Sequence, residues 1–246
     1  MNFKNIKYLF FLLMTVFVLS SCSETNEDES NSEFGNWQER NDKAFADTLA
    51  KARQQIANGS TEWKVIRSWT LQNQTSTTEG QGAASTLKYN DDDYIVVHVL
   101  KEGNSDAKLL YTDSIQLSYR GRLIPSDSYA NGYVFDQTFV ADAYSSETAK
   151  PTKTTINYGW IDGFTTALLG MHVGDHWQVF IPANLAYGSS ANSTVPAYSM
   201  LRFEMALTAY KRGKGSWITE ERGARCALRC CRCAGRRSIR RGSHCR

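Results

Sequence analysis

Between Ser23 and Arg225 the chain has no cysteine. Cys22 stands alone near the start, and Cys226, Cys230, Cys231, Cys233 and Cys245 crowd the last stretch. A body of this kind has no disulfide framework, no thiol nucleophile and no thiolate ligands for zinc. Histidine is sparse, with four in 246 residues. His172 and His176 are four apart, but Gly174 falls between them in a turn, so they are not a metal-binding pair on one helix face. No nucleophile stands beside a base, and neither a metal nor a cofactor is expected. The one long apolar run, Leu9 to Leu19, is too short for a comfortable membrane span. There is no internal repeat. Positive charge is also missing from the body, despite a formal net charge of +3. From Gly213 onward ten Lys or Arg accompany two acidic residues; without that tail, Lys4 and Lys7, 16 basic residues stand against 23 acidic ones. An acidic body excludes nucleic acid as the expected partner.

What the body does contain is one densely patterned stretch, Trp160 to Gly188. A short helix is predicted from Asp162 to Leu169, with Phe164, Ala167, Leu168 and Met171 on one side. Gly170 is its stop, and Gly174-Asp175 is a turn. Trp177, Val179 and Ile181 then alternate as in a half-buried strand. A short helix laid across such a strand makes one concave apolar surface. Upstream, Asn36 to Asn58 reads as a helix, with Asn36 as N-cap, Glu39 three residues on, and Gly59 as the stop. Trp37, Phe45, Leu49, Ala52 and Ile56 recur on one face of it. Trp63 to Leu71, Tyr94 to Leu100 and Ile115 to Leu123 read as strands, with a polar loop from Gln72 to Ser85 and a turn at Glu102-Gly103. The expected fold is α+β: an antiparallel sheet curled around one short helix, with an N-terminal helical extension.

The same residues resemble the FKBP-type peptidyl-prolyl isomerases. The matching blocks are I-Q-L-S-Y-R-G-R-L (Ile115 to Leu123), V-F-D (Val134 to Asp136), W-I-D-G-F (Trp160 to Phe164), G-M-H-V-G-D (Gly170 to Asp175), L-A-Y-G (Leu185 to Gly188) and V-P-A-Y-S-M-L-R-F-E (Val195 to Glu204). They occur in the family's order and cover about half of the chain, from near Asp92 to Arg212. The resemblance implies an FKBP-like domain at 92–212, preceded by a helix-and-strand extension at 34–91.

The chemistry so implied is rotation about Xaa-Pro bonds. Amide resonance sets a barrier of about 18–20 kcal/mol, and no bond is broken, so no nucleophile is needed. A catalyst must hold the twisted amide better than either planar form. The twisted amide is less polar at its oxygen, so a dry aromatic pocket favours it. By resemblance, Tyr119 lines the wall, Phe135 stands against the proline ring, and Asp136 fixes neighbouring side chains or accepts a ligand hydrogen bond. The Ile161 N–H donates to a substrate carbonyl, Phe164 is the floor, the Tyr187 hydroxyl donates to the bound peptide, and Phe203 is the last wall aromatic. Trp160 and Val195 are expected to touch substrate, Val195 from a flap loop. Taken singly, Tyr119 and Phe203 read equally as core aromatics, Asp136 as a turn residue and Tyr187 as a strand end. The sequence departs from the family at Phe164, where Trp is usual, at Trp160, where Val is usual, and at Pro151 to Ile156, which lacks an aromatic. Two functions stay open: an isomerase acting on polypeptides outside the inner membrane, and a non-catalytic peptide-binding or chaperone module on the same frame.

The termini carry separate signals. Lys4, Lys7 and the run Leu9 to Leu19 read as a secretory signal over residues 1–21. It ends in Leu19-Ser20-Ser21-Cys22, which looks like a bacterial lipoprotein lipobox. That resemblance implies cleavage before Cys22, acylation of that cysteine and a lipid anchor in the cell envelope, in the outer membrane on its periplasmic or outer face. The alternative is a plain signal peptide with an incidental cysteine. Residues 22–33 are an acidic tether without a large apolar residue, which resembles the surface-export signal of some Gram-negative lipoproteins as much as a spacer. Residues 213–246 form a basic tail read as foreign to the fold; its one C-x-x-C, Cys230 and Cys233, lacks a second pair for zinc. Helical N-terminal parts dimerise some prokaryotic relatives of this type. Those parts are longer than one helix, which leaves a homodimer open.

Overall fold

The computed structural model describes residues 33–72 and 89–220. The secretory signal, Cys22, nearly all of the acidic tether, the loop from Gln72 to Ser85 beyond its first residue, and the cysteines of the tail lie outside the described residues.

One antiparallel sheet holds the described chain together. Its strands are β1 (Trp63–Arg67), β2 (Tyr94–Lys101), β3 (Ser114–Arg122), β4 (Val134–Gln137), β5 (Thr152–Thr155), β6 (His176–Ile181), β7 (Leu201–Lys211) and β8 (Ile218–Thr219). Their order is β1-β2-β6-β7-β3-β4, with β5 also on β3 and β8 also on β7. The helices are α1 (Trp37–Ala57) and α2 (Asp162–Gly170). The extension and the segment that follows it therefore share one sheet, because β1 pairs with β2 from Trp63↔His98 to Arg67↔Tyr94.

Alternation explains the strands. In β6, Trp177, Val179 and Ile181 are wholly buried while His176, Gln178 and Phe180 are half-buried. In β3, Ile115, Leu117 and Tyr119 point into the core, but Ser118 and Arg120 on the other face are buried as well. The cause is the segment after β4: Arg120 donates to the carbonyls of Phe139, Ala141 and Asp142 and lies 4.3 Å from the Phe139 ring.

Helix α2 is enclosed on more than the expected side, since Gly163 to Leu168 are all buried. The strand expected to reach Leu71 stops at Arg67, and Trp69–Leu71 turns back over the helix. There Trp69 N donates to Thr166 Oγ1 at 3.1 Å and Trp69 Nε1 to Asp162 Oδ1 at 3.3 Å. On its sheet side α2 comes so close to β6 that a Cβ on Gly163 would sit 2.3 Å from Ile181 Cγ2. Helix α1 packs on the sheet of its own chain. Trp37 Nε1 donates to Ser199 Oγ at 2.8 Å, and the buried Asn41 accepts the Met200 N–H at 2.8 Å while donating to Trp37 O at 2.7 Å. Asn36 adopts φ 48 just before the helix. Ile56, expected on the apolar face, is 41% exposed, whereas Phe45, Leu49 and Ala52 are buried.

The fold does not end at Arg212. Ile218 and Thr219 pair with Tyr210 and Ala209, Ile218 packs against the core, and Glu220 meets Lys101 at 3.2 Å and Asn104 at 3.3 Å. The first residues of the expected tail thus belong to the sheet, because an apolar Ile218 at strand spacing finds an open edge on β7.

Candidate active site

Aromatic side chains from four elements meet on one face of the sheet, beside the start of α2. Strand β3 brings Tyr119, β4 brings Phe135 and Asp136, β7 brings Phe203, and the start of α2 brings Trp160, Ile161 and Phe164. Tyr119 is the hub. Its ring centroid lies 5.6 Å from Phe164, 5.8 Å from Trp160 and 6.4 Å from Phe203. Phe203 in turn stands edge-on to Phe164 at 4.9 Å and to Phe135 at 5.5 Å. Such edge-to-face contacts suit the ring quadrupoles.

Strand register makes this possible through a glycine. Gly121 pairs with Asp136 on one side and Phe203 on the other. A Cβ there would fall 2.5 Å from Phe135 Cζ and 2.7 Å from Phe203 Cε1. Only a residue without a side chain lets both rings lie over the strand. A glycine inside a strand pattern is the signal that could have revealed this from the sequence.

The polar groups are few and mostly fixed. Tyr119 donates its hydroxyl to Asp136 Oδ2 at 2.8 Å, while Tyr119 N donates to Thr138 Oγ1 and Thr138 N to Tyr119 O, each at 2.8 Å. Burial first, then the hydrogen bond to Asp136 and the charges of Asp136, Tyr187 and Tyr158, push the Tyr119 phenol far above its ordinary range. That shift favours the neutral phenol, which can donate. Trp160 Nε1 is anchored on Thr155 O at 3.2 Å. Two donors are left over. Among the described residues the Ile161 N–H has no acceptor, while its carbonyl takes the Thr165 N–H at 3.0 Å. Tyr187, 42% exposed on the turn after β6, has no partner for its hydroxyl among them.

Phe164 differs from the expected floor. It is 1% exposed, because Trp160 stacks over it at 4.7 Å and 26°. The ring that faces outward is Trp160; the second aromatic that replaces the usual valine has covered the first. Val195 is buried in the loop before β7, held by its N–H on Asn192 Oδ1 at 2.8 Å, and no hydrogen bond joins it to the aromatic group. A cavity of about 590 Å³ lies away from this group, between α1 and the turn after β6, and another of about 680 Å³ lies beside β6 and β8. Each contains an engaged charged group: Asp91 binds Arg53 at 2.7 Å in the first, and His176 binds Glu204 at 2.9 Å in the second.

Comparison with known proteins follows the same residues. The family described as FKBP-type peptidyl-prolyl cis-trans isomerase matches residues 106–208. A macrophage infectivity potentiator of Trypanosoma cruzi is 34% identical over 128 residues, which is 52% of this chain and 58% of that protein. An FKBP-type 22 kDa peptidyl-prolyl cis-trans isomerase of Escherichia coli is 36% identical over 97 residues, 39% of this chain and 40% of that one. The outer membrane protein MIP of Legionella longbeachae is 31% identical over 112 residues, 45% of this chain and 42% of that one. The chain thus spans from about two fifths to under three fifths of the length of these relatives. Tyr119 with its Asp136 partner, the Gly121 notch and the rings around them all fall inside residues 106–208, the segment that is similar to the FKBP-type peptidyl-prolyl cis-trans isomerase family.

Proposed function

We propose that the chain accelerates cis–trans isomerisation of Xaa-Pro bonds in exported polypeptides, binding the twisted amide in its aromatic basin. The observation that carries this is the pairing of a largely dry aromatic group with two unengaged donors at its edge, the Ile161 N–H and the Tyr187 hydroxyl. Phe135 and Trp160 offer apolar faces to the proline ring and strip water from the amide, which destabilises the polar planar forms relative to the twisted one. Ile161 and Tyr187 hold peptide carbonyls and orient the bond. Asp136 fixes Tyr119 through its hydrogen bond and keeps that wall upright. Phe164 and Phe203 support the basin from beneath.

The test is exchange of a Leu-Pro peptide, measured by NMR, with folding checked by circular dichroism. Tyr187→Phe removes one neutral hydrogen bond, about 0.5–1.5 kcal/mol, and lowers kcat/KM roughly twofold to twelvefold. Asp136→Ala lowers it at least as far, since it also leaves the Tyr119 hydroxyl without its acceptor. A folded wild type with no acceleration over the uncatalysed rate would sink the enzyme and leave the peptide-binding or chaperone reading.

The location proposed is the cell envelope, with acyl chains on Cys22 as the anchor. The lipobox-like Leu19-Ser20-Ser21-Cys22 supports it, and so does the name of the Legionella relative, an outer membrane protein. With Cys22→Ser, processing stops and the protein leaves the membrane fraction; unchanged processing and fractionation would rule the anchor out.

A further inference from the structure

On the face of the sheet that points away from the basin, β3 and β7 place charges opposite each other. Arg120 stands opposite Glu204, a pairing of opposite signs; two residues on, Arg122 stands opposite Arg202. Like charges directly opposite each other destabilise a strand pair. Both arginines are half-buried, so water screens their repulsion less. Burial first, then the charge of Arg122, push the Arg202 guanidinium below its ordinary range. Among the described residues neither arginine has an ion pair. Asp127, in the turn after β3, has none either, and Glu204 is taken by His176 at 2.9 Å.

The pair is nevertheless held in place. Arg122 Nη1 donates to Gly132 O at 3.1 Å, and Arg202 Nη2 donates to Asn131 O, the neighbouring carbonyl of the turn between β3 and β4. Their other nitrogens are unbonded among the described residues and reach solvent. Two planar forks, each fixed at one corner, thus stand side by side with donors to spare and no anion to take them. We propose that Arg122 and Arg202 form an oxyanion site for a phosphate group, on the opposite face of the sheet from the basin. A planar carboxylate is filled by one bidentate guanidinium, whereas a tetrahedral phosphate has oxygens for both forks. The phosphate comes from an anionic lipid headgroup or from free phosphate. The site lies near the start of α1, because Met200, two residues before Arg202, donates its N–H to Asn41. The tether of residues 22–33 leads to that helix, so a chain anchored at Cys22 has headgroups within its reach.

Calorimetric titration of the full chain at fixed ionic strength tests this, with inorganic phosphate, dihexanoylphosphatidylglycerol and acetate as probes. Wild type binds inorganic phosphate about tenfold or more tighter than acetate. Arg122→Gln and Arg202→Gln each weaken phosphate binding roughly tenfold to a hundredfold, and Lys153→Gln, at an exposed position of β5, leaves it unchanged. If the Gln variants fail to fold by circular dichroism, Arg202→Lys decides, since it keeps the charge and loses the fork: weaker phosphate binding than wild type supports the pair, and equal binding overturns it. Arginine-dependent binding of the lipid as well assigns the phosphate to a headgroup; phosphate binding without lipid binding assigns it to free phosphate. Acetate bound as tightly as phosphate points to a carboxylate of a polypeptide and overturns the proposal. So does a wild type that binds no phosphate, or phosphate binding that folded Gln variants leave unchanged.

Discussion

At the scale of single residues the basin depends on what Gly121 lacks. Gly121→Ala places a methyl group against Phe135 and Phe203 at 2.5 and 2.7 Å, well inside contact distance. Phe203 is packed and can yield little; Phe135 is half-buried and gives way outward. The expected stability loss is about 1–3 kcal/mol for overpacking. Misplacing a wall ring by about 1 Å has a larger effect on rate, about tenfold to a hundredfold in kcat/KM. Thermal melts and exchange kinetics on the same variant check both, and unchanged kinetics would show that Phe135 does not form the wall. The residues around Gly121 were legible because Tyr119, Phe135, Asp136 and Phe203 stand in recognisable blocks. Their burial was not: Trp160 capping Phe164 depends on side-chain packing between neighbours in sequence, which periodicity does not describe. Arg122 and Arg202 went unnoticed as a pair because nothing within either strand shows that the two stand opposite each other.

At the scale of elements, the strands read well where apolar and polar residues alternate, as in β3 and β6, or where β-branched residues run together, as in β2. Short pieces read poorly. Strand β8 has two residues and no pattern to recognise, and Trp69–Leu71 continues the apolar rhythm of β1 while folding back over α2. The buried Arg120 looked like an ordinary outward position, because its cover comes from a segment about twenty residues later. Another buried charge fastens the ends of β3 and β7. Asp113 is wholly buried and takes hydrogen bonds from Arg212 at 3.0 and 2.9 Å and from the Leu110 N–H at 2.9 Å. Burial raises its pKa, but the hydrogen bonds and the charge of Arg212 outweigh it, so the net direction is down. A depressed carboxyl stabilises the fold fully above its unfolded value of about 3.9 and loses that contribution as pH falls through the folded value. Asp113→Asn is therefore less stable than wild type at neutral pH, and the gap narrows below about pH 4. Glu204, lowered chiefly by its hydrogen bond to His176, adds acid sensitivity to both proteins and cancels in the difference. Denaturant melts at several pH values measure the gap; one that does not change with pH would refute the assignment.

At the scale of the whole molecule, the body extends past Arg212 at least as far as Glu220. A chain cut after Arg212 loses β8, the Ile218 packing and the Glu220 contacts; one cut after Glu220 keeps them. Partial burial of one isoleucine is worth about 1–2 kcal/mol, so the shorter chain melts about 2–8 °C below the longer one. Equal melting points would mean that β8 contributes nothing. The composition change at Gly213 concealed this, since strand β8 sits inside a segment that otherwise looks alien to the domain. One further consequence follows from the hydrogen bonds of Trp37 and Asn41 to Ser199 and Met200, which span 162 and 159 positions of sequence. Helix α1 packs on β1 and β2, which follow it closely, but its first turn is pinned only once residues 199 and 200, just before β7, have joined it. A chain made from its N-terminus thus leaves the Trp37 end of the helix loose until most of the body is present, and such long loop closures place folding on the slow, millisecond-to-second side for a domain of this size.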